Sequence, residues 1–178
     1  MARASTVSVS IDGLEGAIKR VDEIIDLLST TKNENSLLMR LGEIGSERAD
    51  EEFRNAIYDG YNDVRVDPPK ARNENEVIIN ASGRSVAFIE FGSGVHYSAP
   101  VHPKADELGM IRGNFGYKLG RHDSWRYEGD PGTNGEIITD GPHAGEVLTH
   151  GNPANMCMYN AAKEIKLRAQ EIAEEILL

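Results

Sequence analysis

Apolar positions Leu14, Ile18, Val21, Ile25 and Leu28 recur in steps of four and three, the spacing that gathers side chains on one face of an α-helix. Asp12 precedes the run and Glu15 follows three residues later, placing two carboxylates where the free amides of a first turn need acceptors. The spacing predicts a helix over 13–28. Ahead of it, Val7-Ser8-Val9-Ser10-Ile11 alternates with period two and predicts a short strand. Beyond a polar break at 29–35, Leu37 or Leu38, Leu41, Ile44, Ala49, Phe53 and Ile57 describe a second helical face over 35–57. Gly42 and Gly45 interrupt it, each weakening a helix by about 1 kcal/mol relative to Ala. They mark either close packing or a break. Asp50-Glu51-Glu52 reads as a solvated face and Gly60 as a stop.

The middle of the chain is written in shorter units. Val64-Arg65-Val66 is a brief strand ended by Asp67-Pro68-Pro69, because proline cannot donate to a ladder. Residues 70–75 read as a loop, Glu76-Val77-Ile78-Ile79-Asn80 as a strand and Ala81-Ser82-Gly83 as its turn. Val86 to Phe91 is open to either reading, strand or a turn or two of helix. Thirteen of the 18 glycines and all 5 histidines then fall between Gly83 and Gly151, which excludes long helices there and predicts strands joined by excursions. Ser124-Trp125-Arg126-Tyr127 and Glu136-Ile137-Ile138-Thr139 are the two segments expected to pair, around a turn at Gly129-Asp130-Pro131-Gly132. At the end, Asn152-Pro153 offers a cap followed by proline at a first helical position. Met158, Ala162, Ile165, Ala169, Ile172 and Ile176 then form an apolar stripe, with Lys163, Glu164, Lys166, Arg168 and Glu174 off it.

These elements predict an α+β fold in one domain over 1–178: a helical half at 12–60, strands and an acidic-aromatic segment at 64–101, a Gly/His-rich insertion at 102–151 and a C-terminal helix at 152–178. The expected architecture is an antiparallel sheet packed by N-terminal helices and a C-terminal amphipathic helix, with a long Gly-rich loop or hairpin inserted. With 178 residues, 39% of them apolar, the chain is long enough for a modest core. A net charge of -10 opposes nonspecific binding to phosphates. Cys157 stands alone, excludes an internal disulfide, fits a reducing cytoplasm and reads as a small buried hydrophobe. The first residues lack the apolar core of a signal peptide, and no run approaches the roughly 20 apolar residues of a membrane span, so a soluble protein is expected.

Candidate chemistries were weighed against spacing. His96, His102, His122, His143 and His150 invite a metal, yet neither a His-Glu-x-x-His motif nor a Cys pair is present. In Phe91-Gly92-Ser93-Gly94 both glycines touch the serine, unlike the Gly-x-Ser-x-Gly turn of hydrolases. A general acid or base at Glu90 needs a second carboxylate, and nothing in the spacing selects one. No catalytic residue, cofactor or metal ligand is therefore assigned. Glu90 reads as a structural carboxylate that accepts backbone amides or pairs with a base such as Arg84, while Phe88 and Phe91 anchor its segment.

The helical N-terminal half, the string Phe88-Ile89-Glu90-Phe91-Gly92-Ser93-Gly94, and Gly151-Asn152-Pro153-Ala154 leading into the last helix resemble the putative tail-component family of long-tailed bacteriophages and prophages. These are tail-completion or neck proteins at the head-tail junction, and the resemblance spans roughly residue 11 to the end. Two departures stand out. Tyr58-Asp59-Gly60-Tyr61-Asn62-Asp63 replaces a Pro-x-x-Thr-Gly segment, and the region 102–150 is longer than the family pattern. The resemblance implies a short helix around Glu90, a C-terminal helix opened by Pro153, and a structural virion protein that assembles as a ring with itself. The implied partners are a tail terminator or head connector, with DNA only as a passing duplex and no membrane; the implied location is the host cytoplasm during assembly, then the virion neck. Trp125, Tyr127, Met158, Tyr159, Ile165 and Ile172 are the interface candidates. The alternative reading is a small metal-dependent enzyme using the His-rich loops.

Overall fold

The computed structural model describes residues 14–96, 100–111, 113, 115 and 123–177. The strand expected at 7–11 and His122 lie outside them. Within these limits the chain is α+β, in the order α1 (Leu14–Ser29), α2 (Leu37–Arg54), β1 (Arg65–Val66), β2 (Lys70–Asn73), β3 (Glu76–Ile78), β4 (Ala81–Ser82), α3 (Val86–Phe91), β5 (Trp125–Tyr127), β6 (Glu136–Ile137), β7 (Val147–Thr149) and α4 (Cys157–Leu177).

The α2–α4 pair is the spine. Ser36 starts α2 by accepting from the Met39 amide at 3.4 Å. The two helices run antiparallel: Leu41 near the start of α2 packs with Ile172 and Ile176 near the end of α4, whereas Phe53 packs with Cys157 at its start. Gly42 and Gly45 are close-packing residues, not a break. A Cβ on Gly42 would stand 2.8 Å from Pro69 and Val77, and one on Gly45 would overlap Ile165 and Ile79. Small residues here let strand and helix side chains reach the α2 backbone. Helix α2 stops at Arg54, three residues short of the expected end at Ile57, where Asn55 turns back its amide to Glu51.

Among the described residues the strands form three small antiparallel sheets instead of one: β1–β4, β2–β3, and a three-stranded sheet in the order β5-β7-β6. Residues 70–73, expected as a loop, pair with β3, and Ala81-Ser82, expected as a turn, pair with β1. The segments around Trp125 and Glu136 do form strands, yet not with each other. Each pairs with β7, which the sequence reading left unassigned and which lies between them.

Val86–Phe91 is helical. Helix α4 begins at Cys157, later than expected, so Pro153 is not its first residue. Residues 152–156 instead run along α3: the Asn155 amide donates to Ile89 O at 2.9 Å and the Met156 amide to Glu90 O at 3.2 Å. The buried stripe of α4 also shifts by one position near its start, with Ala161 buried and Ala162 exposed.

Candidate functional site

The Phe88–Gly94 string folds into a closed polar latch. Glu90 is 4% exposed and His102 5%. The Glu90 carboxylate accepts from the amides of Met158 at 2.8 Å and Tyr159 at 3.1 Å, in the first turn of α4. A carboxylate there meets free N–H groups and the positive end of the helix. Its third partner is His102 Nε2 at 3.0 Å. The Lys104 amide donates to Nδ1 of the same ring at 3.1 Å, so Nδ1 is the acceptor and Nε2 carries the proton toward Glu90. The imidazole is held between Phe91, with ring centroids 4.4 Å apart, and Tyr159, at 5.5 Å. Glu90 is thus the amide-accepting carboxylate that the sequence suggested, but its side-chain partner is His102 and not Arg84.

Arg84 lies elsewhere, 3.4 Å from Asp63. Asp63 also accepts from the amides of Arg84 and Ser85 and from the Ser85 hydroxyl. These hydrogen bonds, led by that of the Ser85 hydroxyl, hold its carboxyl well below the usual carboxylate range.

Ser93 is equally committed. Its hydroxyl donates to Asn152 Oδ1, and its backbone exchanges hydrogen bonds with Asn152 at 3.0 and 3.3 Å. Asn152 is fully buried and sends its Nδ2 to Phe88 O at 2.8 Å. Gly94 and Gly151 hold positive φ of +71° and +86°, and a Cβ on Gly94 would stand 2.9 Å from His150 O and 3.1 Å from the Trp125 ring. The glycines therefore serve this close backbone crossing. Cys157 is buried against Phe53 and Ile89, with the thiol pushed up to about 12 by burial and then by Glu90 and Glu52.

Beside the latch opens a cleft of about 540 Å³, within the size range of ligand pockets. The aromatic residues Tyr58, Tyr61, Phe88, Trp125 and Tyr127 line it, together with charged groups of both signs, Arg84 and Arg126 among Asp59, Asp63, Glu128 and Asp130. Asp59, in the cleft lining, accepts from Thr149 Oγ1 of β7 at 2.6 Å and from the Asn134 amide at 2.9 Å. The Tyr127 hydroxyl donates to Asp130 O at 2.7 Å, and burial, then Asp59, pushes that phenol up to about 12.

Of the interface candidates, Ile172 is buried in the core, Ile165 lies against Gly45, Met158 packs on the Phe53 cluster and Tyr159 lies on the His102 ring. Trp125 and Tyr127 line the cleft. The surface that sequence reasoning missed is on α1. Its apolar stripe is packed at Leu27 and Leu28 against the Leu41–Ile172–Ile176 cluster. Further back along the same helix, Ile18, Val21 and Ile25 are 52%, 53% and 54% exposed. Periodicity identified the stripe; it carried no sign of which part is exposed.

Among the described residues no group of three or more His, Cys, Asp or Glu is placed to hold a metal ion. His143 bonds Glu146 at 2.9 Å, and the rings of His96 and His150 stand 5.3 Å apart. No described helix is long and apolar enough to cross a membrane. Comparison with models of protein families, with curated proteins and with solved structures finds no match to this chain.

Proposed function

We propose that this chain is a structural protein of a phage or prophage, a tail-completion or neck protein that acts by assembling into a ring and joining head to tail. The observation that carries the reading is the exposed apolar stripe on α1. A 16-residue helix that leaves Ile18 and Val21 more than half exposed gains stability in water when a further surface covers them. The Glu90 motif supports the same reading, because each polar group in it closes on the chain itself and builds a rigid body. The net charge of -10 suits a ring around a passing duplex, since an acidic passage repels phosphates.

Mass measurement in solution combined with negative-stain imaging tests the proposal. A closed ring is expected, alone or on addition of a phage head-connector or tail-terminator protein. A chain that stays monomeric under all these conditions overturns it.

A further inference from the structure

The aromatic cleft is lined by four carboxylates and two guanidiniums, and both guanidiniums are already engaged. Arg84 stands 3.4 Å from Asp63 with its side chain 94% exposed, and Arg126 stands 3.5 Å from Glu146, which is not part of the lining. Strand alternation puts Trp125 and Tyr127 on one face of β5 and Arg126 on the other. Among the described residues Asp59, Glu128 and Asp130 have no ion-pair partner. The cleft is therefore left with an excess of negative charge.

That charge is largely separated from hydrogen-bonding capacity. Asp59 accepts from the Thr149 hydroxyl and the Asn134 amide, Asp63 from the Arg84 and Ser85 amides and the Ser85 hydroxyl, and Asp130 from the Gly132 amide at 2.8 Å. Those donors are neutral, so they occupy acceptor positions and leave the charge in place. The Tyr127 phenol registers it: after burial, Asp59, Tyr58 and Asp130 hold its proton on. The aromatic walls are also fixed relative to each other. The Tyr58 amide donates to Thr133 Oγ1 at 3.3 Å and the Thr133 amide to Tyr58 O at 2.9 Å. A Cβ on Gly132 would stand 2.2 Å from Tyr58 O and 2.4 Å from Gly60 N, so the turn after Tyr127 lies directly on the segment that carries Tyr58 and Tyr61. Walls held at a set spacing spare a ligand the cost of ordering them.

We propose that the cleft binds a quaternary ammonium group, such as the head of a choline-like compound, against the rings of Tyr58, Tyr61, Trp125 and Tyr127. Such a cation is attracted to the faces of Trp and Tyr rings and to unpaired carboxylates. It donates no hydrogen bond, so carboxylates whose acceptor positions are filled still serve it. A primary amine would need those positions, and a neutral apolar group would forgo the charge.

The single tryptophan lies in the cleft, so its emission reports occupancy. Titration with choline chloride, at an ionic strength held constant with sodium chloride, is expected to shift Trp125 emission along a saturating curve, and calorimetry to give the same midpoint. Two controls share the skeleton: ethanolamine keeps the charge but donates hydrogen bonds, and the isostere with a tert-butyl group in place of trimethylammonium keeps the shape without the charge. Each is expected to bind at least several-fold more weakly than choline. Tyr61→Ala removes a ring that is 70% exposed, and Glu128→Gln with Asp130→Asn removes two charges. Both are expected to weaken choline several-fold with circular dichroism and Tm unchanged, and the charge pair to leave the isostere unaffected. If the charge pair lowers Tm, Glu128→Gln alone takes its place. No saturable binding by fluorescence and calorimetry overturns the proposal. Equal or tighter binding of the isostere shows a purely apolar pocket, and equal or tighter binding of ethanolamine an amine site; either overturns it, as does undiminished choline affinity in the Tyr61 and Glu128 variants. Binding of this kind is independent of ring assembly, so its absence leaves the ring reading untouched.

Discussion

The latch around Glu90 and the first turns of α1 are opposites. In the latch, carboxylate, imidazole, amide and hydroxyl groups are all matched within the chain and shut away from water. On α1, three branched aliphatic side chains stand more than half exposed. Buried polar groups cost free energy unless every partner is present, so a fully matched network specifies one arrangement. An exposed apolar stripe specifies nothing until something covers it. The one region defines the fold, and the other leaves an apolar face toward water.

The contrast breaks if the latch proves dispensable. Glu90→Ala removes the acceptor from two helix amides and from His102, and is expected to cost about 3–5 kcal/mol in urea unfolding, as when one partner of a buried pair is removed. Glu90→Gln keeps one acceptor and should fall between. Loss of less than about 1 kcal/mol in Glu90→Ala would place the stabilising core elsewhere. Next in size is Gly45→Ala. Its methyl group enters space held by Ile165 and Ile79, and overpacking of about 1–3 kcal/mol is expected to outweigh the gain of about 1 kcal/mol in helix propensity, giving a lower Tm.

Asp63→Asn comes third, at about 1 kcal/mol near neutral pH, for hydrogen bonds made weaker by loss of charge. Its sign with pH is definite. A carboxyl depressed in the folded chain stabilises above its unfolded pKa of about 3.9 and loses that contribution as pH falls through the folded value. The gap between parent and variant in a pH series of urea midpoints should therefore hold constant down to about pH 4 and close only below it. Smallest is Val21→Ser, expected to change stability by less than about 0.5 kcal/mol when measured at dilution as a monomer, because the side chain is already half in water. A large loss there would mean that α1 is covered within its own subunit.

Helices were legible wherever an apolar stripe ran for several turns. The start of α4 was not, because local capping at Asn152-Pro153 yields to long-range bonds from residues 152–156 to the carbonyls of α3. Strand β2 was missed because Lys70–Asn73 is exposed throughout and shows no alternation. In the latch, two glycines beside an acid in an apolar run marked the place, and amide acceptance by Glu90 was readable. The choice of His102 over Arg84 was not. It depends on how the segment after Pro100 folds back against Phe91, and one histidine among five carries no mark of that.

The cap on α4 comes from far away in the chain. Glu90 precedes Met158 by 68 residues, so the helix cannot complete its own first turn until α3 has docked. Local fraying at that end is correspondingly suppressed, since opening it exposes a buried carboxylate as well as two amides. In hydrogen exchange, the Met158 and Tyr159 amides should therefore be released only with opening of the whole domain. The amides at the far end, near Leu177, should exchange by fraying alone. One side chain thus turns the last helix from an appended segment into part of a single cooperative unit.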